Sequence, residues 1–273
     1  LKVGLALGGG AGLGWAHIGV IRVLEEYGIP IDIVAGTSIG AIVGAGVAAD
    51  IMDEMEDVAR AISLKDMLAM GEFGFNKGSL IGAGKVEKKL REHFGLLKIE
   101  ELTKPFAAIA ADLYSGNIIT LTEGDLVTAL RASSAVPGVL PPVETNRLFL
   151  VDGGIVDPIP VDAARGLGAD RIIAVDLQGD YLGRAKRMGF DPGMGRPKMA
   201  PLKTARTSWA LALQALSRAK LLASSPDVTV VPRIGHIDMT DFTKADELIG
   251  HGMQATYAVM PEIEALLTLE AAQ

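Results

Sequence analysis

The chain has 273 residues, of which 49% are hydrophobic and 22% charged, and a formal net charge of −7. Such a length can bury a large core, and the apolar, glycine-rich composition excludes a disordered chain. The acidic balance argues against a nucleic-acid binder, and the absence of cysteine excludes disulfides, thiolate metal sites and thiol catalysis.

In chain order, Val3 to Leu7 reads as a short apolar strand that stops at Gly8-Gly9-Gly10. Trp15 to Tyr27 carries Ile18, Ile21 and Leu24 at helical spacing and ends at Gly28. Ile31 to Ala35 is a second strand, and Ile39 to Ile62 reads as one long helix, apolar first and amphipathic later. Its most apolar part, Ile39 to Ala49, is halted by Asp50 at about half the length that spans a bilayer. Residues 69 to 84 are glycine-rich and read as a mobile loop, followed by a charged helix from Val86 to Phe94. Phe106 to Ala111 and Ile118 to Leu121 flank Tyr114-Ser115-Gly116-Asn117 as a hairpin. A helix spans Asp125 to Ser133, and the prolines at 137, 141 and 142 impose an extended loop. Leu148 to Val151 is a strand running into Asp152-Gly153-Gly154. A helix from Val161 to Leu167 and a buried strand from Arg171 to Leu177 follow. The pattern breaks down from Gly179 to Pro201, then resumes as a helix (Lys203 to Ala223), a strand (Val228 to Val231) and a last helix (Ala245 to Leu267).

The strand–helix–strand–helix order implies a parallel sheet with crossover helices. The expected fold is a three-layer α/β/α arrangement around a mostly parallel sheet. The chain is read as a single domain over 1–273: a core of about 1–178, a mobile basic segment of about 179–206, and C-terminal helices and strand over 207–273.

Chemistry concentrates at Gly36-Thr37-Ser38-Ile39-Gly40, between a buried strand and a helix. This is the layout of a nucleophile elbow, which exposes a serine hydroxyl on a tight turn and aims the positive helix end at it. A serine needs a base. Among the four histidines, His236 and His251 stand in the chain order of an α/β-hydrolase triad, but that fold places its elbow after more strands than the two found here. A partly desolvated carboxylate can also be the base. Asp152 ends an apolar strand, where functional groups gather in parallel sheets, although Asp-Gly is also a common turn pair. The loop Gly9-Gly10-Ala11-Gly12 follows the first strand and offers backbone N–H groups to a developing oxyanion. It fits neither the dinucleotide fingerprint nor the phosphate loop of nucleotide hydrolases.

These three motifs together resemble the patatin-like phospholipase family, in particular its small bacterial members. Ala16-His17-Ile18-Gly19-Val20, Ala111-Asp112-Leu113-Tyr114-Ser115-Gly116, Arg131 to Gly138 and Val156-Asp157-Pro158-Ile159-Pro160 are similar to it as well. The likeness covers about residues 1 to 178. It implies a Ser38–Asp152 dyad, an acyl-enzyme, and hydrolysis of carboxylic esters of lipids with no metal and no organic cofactor. The partner implied is a lipid or fatty-acyl ester. Separately, the protein is expected to be cytoplasmic, with peripheral membrane contact. One departure stands out: Leu13 occupies the position where the family commonly has an arginine, which puts phospholipid headgroup preference in doubt more than ester hydrolysis. The other reading is a catalytically weak or inactive protein of this fold that binds lipid or serves as a regulatory adaptor.

Other polar residues are assigned structural roles: His17 as a packed or surface histidine, Asp32, Asp112 and Asp176 at strand ends, and Arg131 beside Ser133-Ser134. Gly183 to Arg206 holds seven basic residues against Asp191, interleaved with Met188, Phe190, Met194 and Met199. With residues 69 to 84 it is expected to gate the site or touch lipid, because cations near anionic lipid contribute about 1 kcal/mol each.

Overall fold

The computed structural model describes residues 1–63, 65, 83–145, 147–191, 193 and 201–268. At its centre, β1 (Val3–Leu7) lies between β2 (Ile33–Thr37) and β7 (Arg171–Val175), parallel to both. All five residues of β1 and all five of β2 are buried, so these strands read as continuous apolar runs rather than alternating ones. β3 (Phe106–Asp112) extends the parallel sheet beyond β2, and β8 (Val228–Val230) extends it beyond β7. The antiparallel strands β4 (Ile118–Leu121), β5 (Val143–Thr145) and β6 (Leu148–Asp152) complete a mixed, mostly parallel sheet.

Helices cover both faces. On one face Leu5, Leu7 and Val34 pack with α1 (Ala16–Glu26), α2 (Ile39–Ala48), α3 (Met52–Ala61) and α9 (Ala245–Thr268). The charged helix α4 (Ala83–Phe94) and α5 (Leu126–Ser133) close the same core through Leu90, Phe94, Leu126 and Leu130. On the opposite face Ala6, Ile33, Ala35 and Ala174 pack with α6 (Val161–Gly166), and with Leu221 of α8 (Pro201–Ser224). A short helix, α7 (Tyr181–Arg187), precedes α8. The expected three-layer architecture is the one observed.

Three local differences have physical causes. The single helix expected over 39–62 is two helices. Asp50 takes φ 60°, and the Ile51 N–H bonds the Gly46 carbonyl at 2.9 Å, the closing pattern of a helix C-terminus. Apolar spacing continues across that break, so periodicity alone does not register it. The irregular stretch expected from Gly179 begins with α7, whose N-cap Asp180 accepts from the Gly183 N–H at 3.0 Å. Of the glycine-rich stretch 69–84, residues 69–82 lie outside the described residues, and Ala83 and Gly84 already belong to α4. Among the described residues no helix is long and apolar enough to cross a membrane.

The packing of α1 on α9 depends on two glycines. A Cβ on Gly19 would stand 1.9 Å from the Ile249 carbonyl oxygen, and one on Gly252 would stand 2.0 Å from the Ala16 carbonyl oxygen. The two backbones are therefore in direct contact. Gly252→Ala should force the helices apart and cost roughly 1–3 kcal/mol, read as a melting temperature lowered by several degrees. An unchanged melting temperature would show that the helices slide apart without penalty.

Candidate active site

Ser38 sits between the end of β2 and the start of α2 with φ 58° and ψ −124°. Positive φ is strained for a residue with a side chain and persists only when the surroundings enforce it. Here they do. The Ser38 N–H donates to Ser133 Oγ at 2.9 Å, and Thr37 Oγ1 donates to the Asp157 carbonyl at 2.9 Å. A Cβ on Gly36 would lie 2.3 Å from the Gly40 carbonyl oxygen, and one on Gly40 would lie 2.2 Å from that of Leu7. Both glycines are thus required by close backbone approach.

Asp152 reaches Ser38 through the sheet. β2 pairs with β3 from Phe106 to Ile109, while β6 pairs with Ala110 to Asp112. β4 pairs with Ala108 to Ala111, occupying the other edge of β3. Hence β6 takes the edge of β3 that β2 vacates, and the two strands meet end to end. Their terminal residues are Thr37 and Asp152, so Ser38 and Asp152 become neighbours although 114 residues separate them. The Ser38 hydroxyl donates to Asp152 Oδ2 at 2.5 Å, and Asp152 Oδ1 accepts from the Gly154 N–H at 2.8 Å. Each of the two residues is only 6% exposed. Burial pushes the Asp152 carboxyl up to about 6, against the opposing hydrogen bonds from Ser38 and Gly154. A carboxylate with that value can accept a proton near neutral pH and release it again.

The glycine loop after β1 passes beside Ser38: a Cβ on Gly9 would stand 3.5 Å from the Ser38 Cβ. Its four candidate donors are not equivalent. The Gly9 N–H bonds the Pro158 carbonyl at 3.0 Å and the Gly12 N–H bonds that of Met239 at 2.7 Å. Two of the four expected donors are therefore committed to the fold, while those of Gly10 and Ala11 take no such partner among the described residues. Ala11 holds φ 49° at the start of the 3-10 turn Ala11–Trp15.

Side chains behind the loop fix its carbonyls. His17 Nε2 contacts the Gly8 carbonyl oxygen at 2.8 Å, and complete burial lowers the imidazole to about 4. His17 is thus neutral near pH 7, and its Nε2–H is the donor. Gln178 Nε2 donates to the Gly9 carbonyl at 3.0 Å, and Gln178 Oε1 accepts from Arg184 Nη1. Arg184 Nη2 also reaches the Leu177 carbonyl at 3.2 Å. Sequence reasoning did not single out Gln178. Its signal was position, just past the carboxyl end of β7. It likewise missed Ser133 as the acceptor for the Ser38 N–H.

The remaining candidates fall into structural places. Asp32 accepts from the Val3 N–H at 2.7 Å, and Asp112 accepts from Ser115 and the Phe149 N–H. Asp176 accepts from the Gln178 N–H and Ser217, while Arg131 donates to the Pro141 carbonyl. Leu13 is fully buried in the main core, so this position contributes packing. His236 pairs with Glu247 at 3.0 Å, with His251 beside it. The basic segment is partly internal. Arg184 is buried, and Arg187 pairs with Asp238 at 2.5 Å. Met194, Arg196, Lys198 and Met199, counted in that segment, lie outside the described residues.

The family model described as Patatin-like phospholipase matches residues 5–165. An uncharacterized NTE family protein of Mycobacterium tuberculosis is 40% identical over 185 residues, which span 68% of this chain and 51% of that protein. Lysophospholipase nte1 of Neurospora crassa is 31% identical over 272 residues, covering 92% of this chain but 18% of its own length. The chain therefore spans about half the length of the mycobacterial relative and a smaller share of the fungal one. Among solved structures, VipD from Legionella pneumophila superposes with a TM-score of 0.52 at 15% identity, over 97% of this chain and 67% of that one. This last likeness concerns the fold alone.

Proposed function

This chain belongs to the patatin-like phospholipase family, and from that premise we propose that it is a serine acyl hydrolase cleaving carboxylic esters of lipids, lysophospholipids among them. The observation that carries the proposal is the 2.5 Å hydrogen bond from the Ser38 hydroxyl to a buried Asp152 whose carboxyl is raised to about 6. In the proposed reaction Ser38 Oγ attacks the ester carbonyl carbon as Asp152 Oδ2 takes the hydroxyl proton. The carbonyl oxygen becomes an oxyanion held by the N–H groups of Gly10 and Ala11, the two loop donors left uncommitted. Collapse breaks the bond to the alcohol, which leaves with the proton from Asp152. Water then attacks the acyl-enzyme, Asp152 takes its proton, and the fatty acid departs as Ser38 regains a proton from Asp152. No step in this sequence calls for a cofactor. The substrate is reached through peripheral contact with a lipid surface.

A fluorophosphonate probe tests the reading. It should label Ser38, and the labelling rate should depend on pH with a definite sign. The base must be ionised, so the rate should rise with pH through about 6 and then level off. Absence of labelling at any pH would favour the non-enzymatic, lipid-binding or regulatory alternative. A rate that falls as pH rises would exclude Asp152 as the base.

A further inference from the structure

Away from the Ser38 site, the turn after β8 meets the first turns of α9. His236 stands on that turn, and Glu247 and His251 stand four residues apart on one side of α9. One ligand atom from each lies within 4.8 Å of those of the other two. His236 Nε2 is 3.0 Å from Glu247 Oε1, and the two imidazole rings are 5.2 Å apart, edge to face. We propose that His236, Glu247 and His251 form a binding site for a divalent first-row transition ion of the Zn²⁺ class.

The donor set selects the ion. Two imidazoles and one carboxylate suit zinc and its neighbours, whereas calcium and magnesium require mostly oxygen donors. Zinc bonds nitrogen and oxygen at about 2.0–2.2 Å, so a tetrahedral site needs donors roughly 3.3 Å apart, close to the spacing between His236 and Glu247. On binding, the ion takes the place of the proton between His236 Nε2 and Glu247 Oε1, that proton passing to His236 Nδ1 or to solvent, and water completes the fourth position. Lys244 stands 4.0 Å from the other oxygen of Glu247, which leaves Oε1 for the ion.

The backbones that carry the donors are anchored. His236 lies between Ile234 and Ile237, both buried, and the Gly235 N–H bonds Asp180 Oδ2 at 2.8 Å. On α9, Leu248, Ile249 and Gly252 beside the two ligands are buried against the core. Closure of the site would therefore fall to side-chain rotation rather than to backbone movement. The ion would pin α9 to the loop that runs on from His236, and that loop carries Met239, whose carbonyl holds the Gly12 N–H. The site is thus a structural clamp behind the glycine loop, and it stands whether or not the chain is a hydrolase.

Zinc chloride titrated into the untagged full chain in a calorimeter tests this, with thermal unfolding measured in parallel. Saturable uptake of one ion per chain and a raised melting temperature are expected, since a ligand bound by the folded state stabilises it. His236→Ala and His251→Ala should each weaken uptake by at least about tenfold, the lower end of the loss seen when even an outer partner of a metal ligand is removed. The conservative Glu247→Gln should weaken it less, and the double histidine variant should abolish it. No saturable uptake by the unsubstituted chain, or unaltered uptake by a folded double variant, overturns the site. An unchanged melting temperature at saturating zinc does so as well.

Discussion

Ser38→Ala and Asp152→Asn are each expected to lower kcat/KM on a short-chain nitrophenyl ester by at least about 10⁴-fold. A loss of that size corresponds to about 5.5 kcal/mol of transition-state stabilisation. The two losses should be equal within a factor of a few, and the double variant should be no worse than either one. The reason is geometric: one hydrogen bond joins the hydroxyl to Asp152 Oδ2, so removing either end would remove the same proposed proton transfer. Asparagine keeps the shape of the side chain but cannot take up the proton. Both residues are nearly fully buried, so circular dichroism and thermal unfolding must accompany the kinetics. A folded Asp152→Asn protein retaining a tenth of the activity would remove Asp152 from the mechanism. Multiplicative losses in the double variant would show that the two residues act separately.

Gly40→Ala should be the next most damaging change, although Gly40 has no reactive group. Its added Cβ would stand 2.2 Å from the Leu7 carbonyl oxygen and 2.7 Å from that of Gly8. Both belong to backbone, one at the end of β1 and the other in the glycine loop, so neither can rotate aside. The elbow and the loop must separate, which moves Ser38 away from the loop and so from the proposed oxyanion donors, the N–H groups of Gly10 and Ala11. A displacement near 1 Å costs about 100-fold in rate, and the overpacking destabilises the fold by roughly 1–3 kcal/mol. The expected result is a kcat/KM at least about 100-fold lower in a protein that still unfolds cooperatively. Nearly unchanged turnover would mean that the loop does not act on the substrate oxygen.

Much of this arrangement is legible in the residues. Gly36-Thr37-Ser38-Ile39-Gly40 announces a strand, a strained serine and a helix because turn chemistry is local. Buried runs such as Val3–Leu7 announce parallel strands because both of their faces are covered. Other features were only half legible. The change of composition at Asp50 marks the end of the most apolar stretch but reads as one continuous helix, because the left-handed turn that breaks it depends on carbonyls earlier in α2. The basic run after Gly183 suggested a surface, but Arg184 is buried against Gln178 and helps to hold the Gly9 carbonyl. Charge counted along a chain does not reveal which cations turn inward.

By itself, then, the sequence determined the central strands and most of the helices, the serine on its elbow and the glycines around it, since each follows from neighbours a few residues away. The tertiary structure alone decided that Asp152 is within reach of that serine, because β6 docks on the stretch of β3 that β2 leaves free. It also decided that Gly9 and Gly12 are committed to Pro158 and Met239, leaving Gly10 and Ala11. Partner choice and desolvation are set by residues more than a hundred positions apart, and no local pattern carries that information.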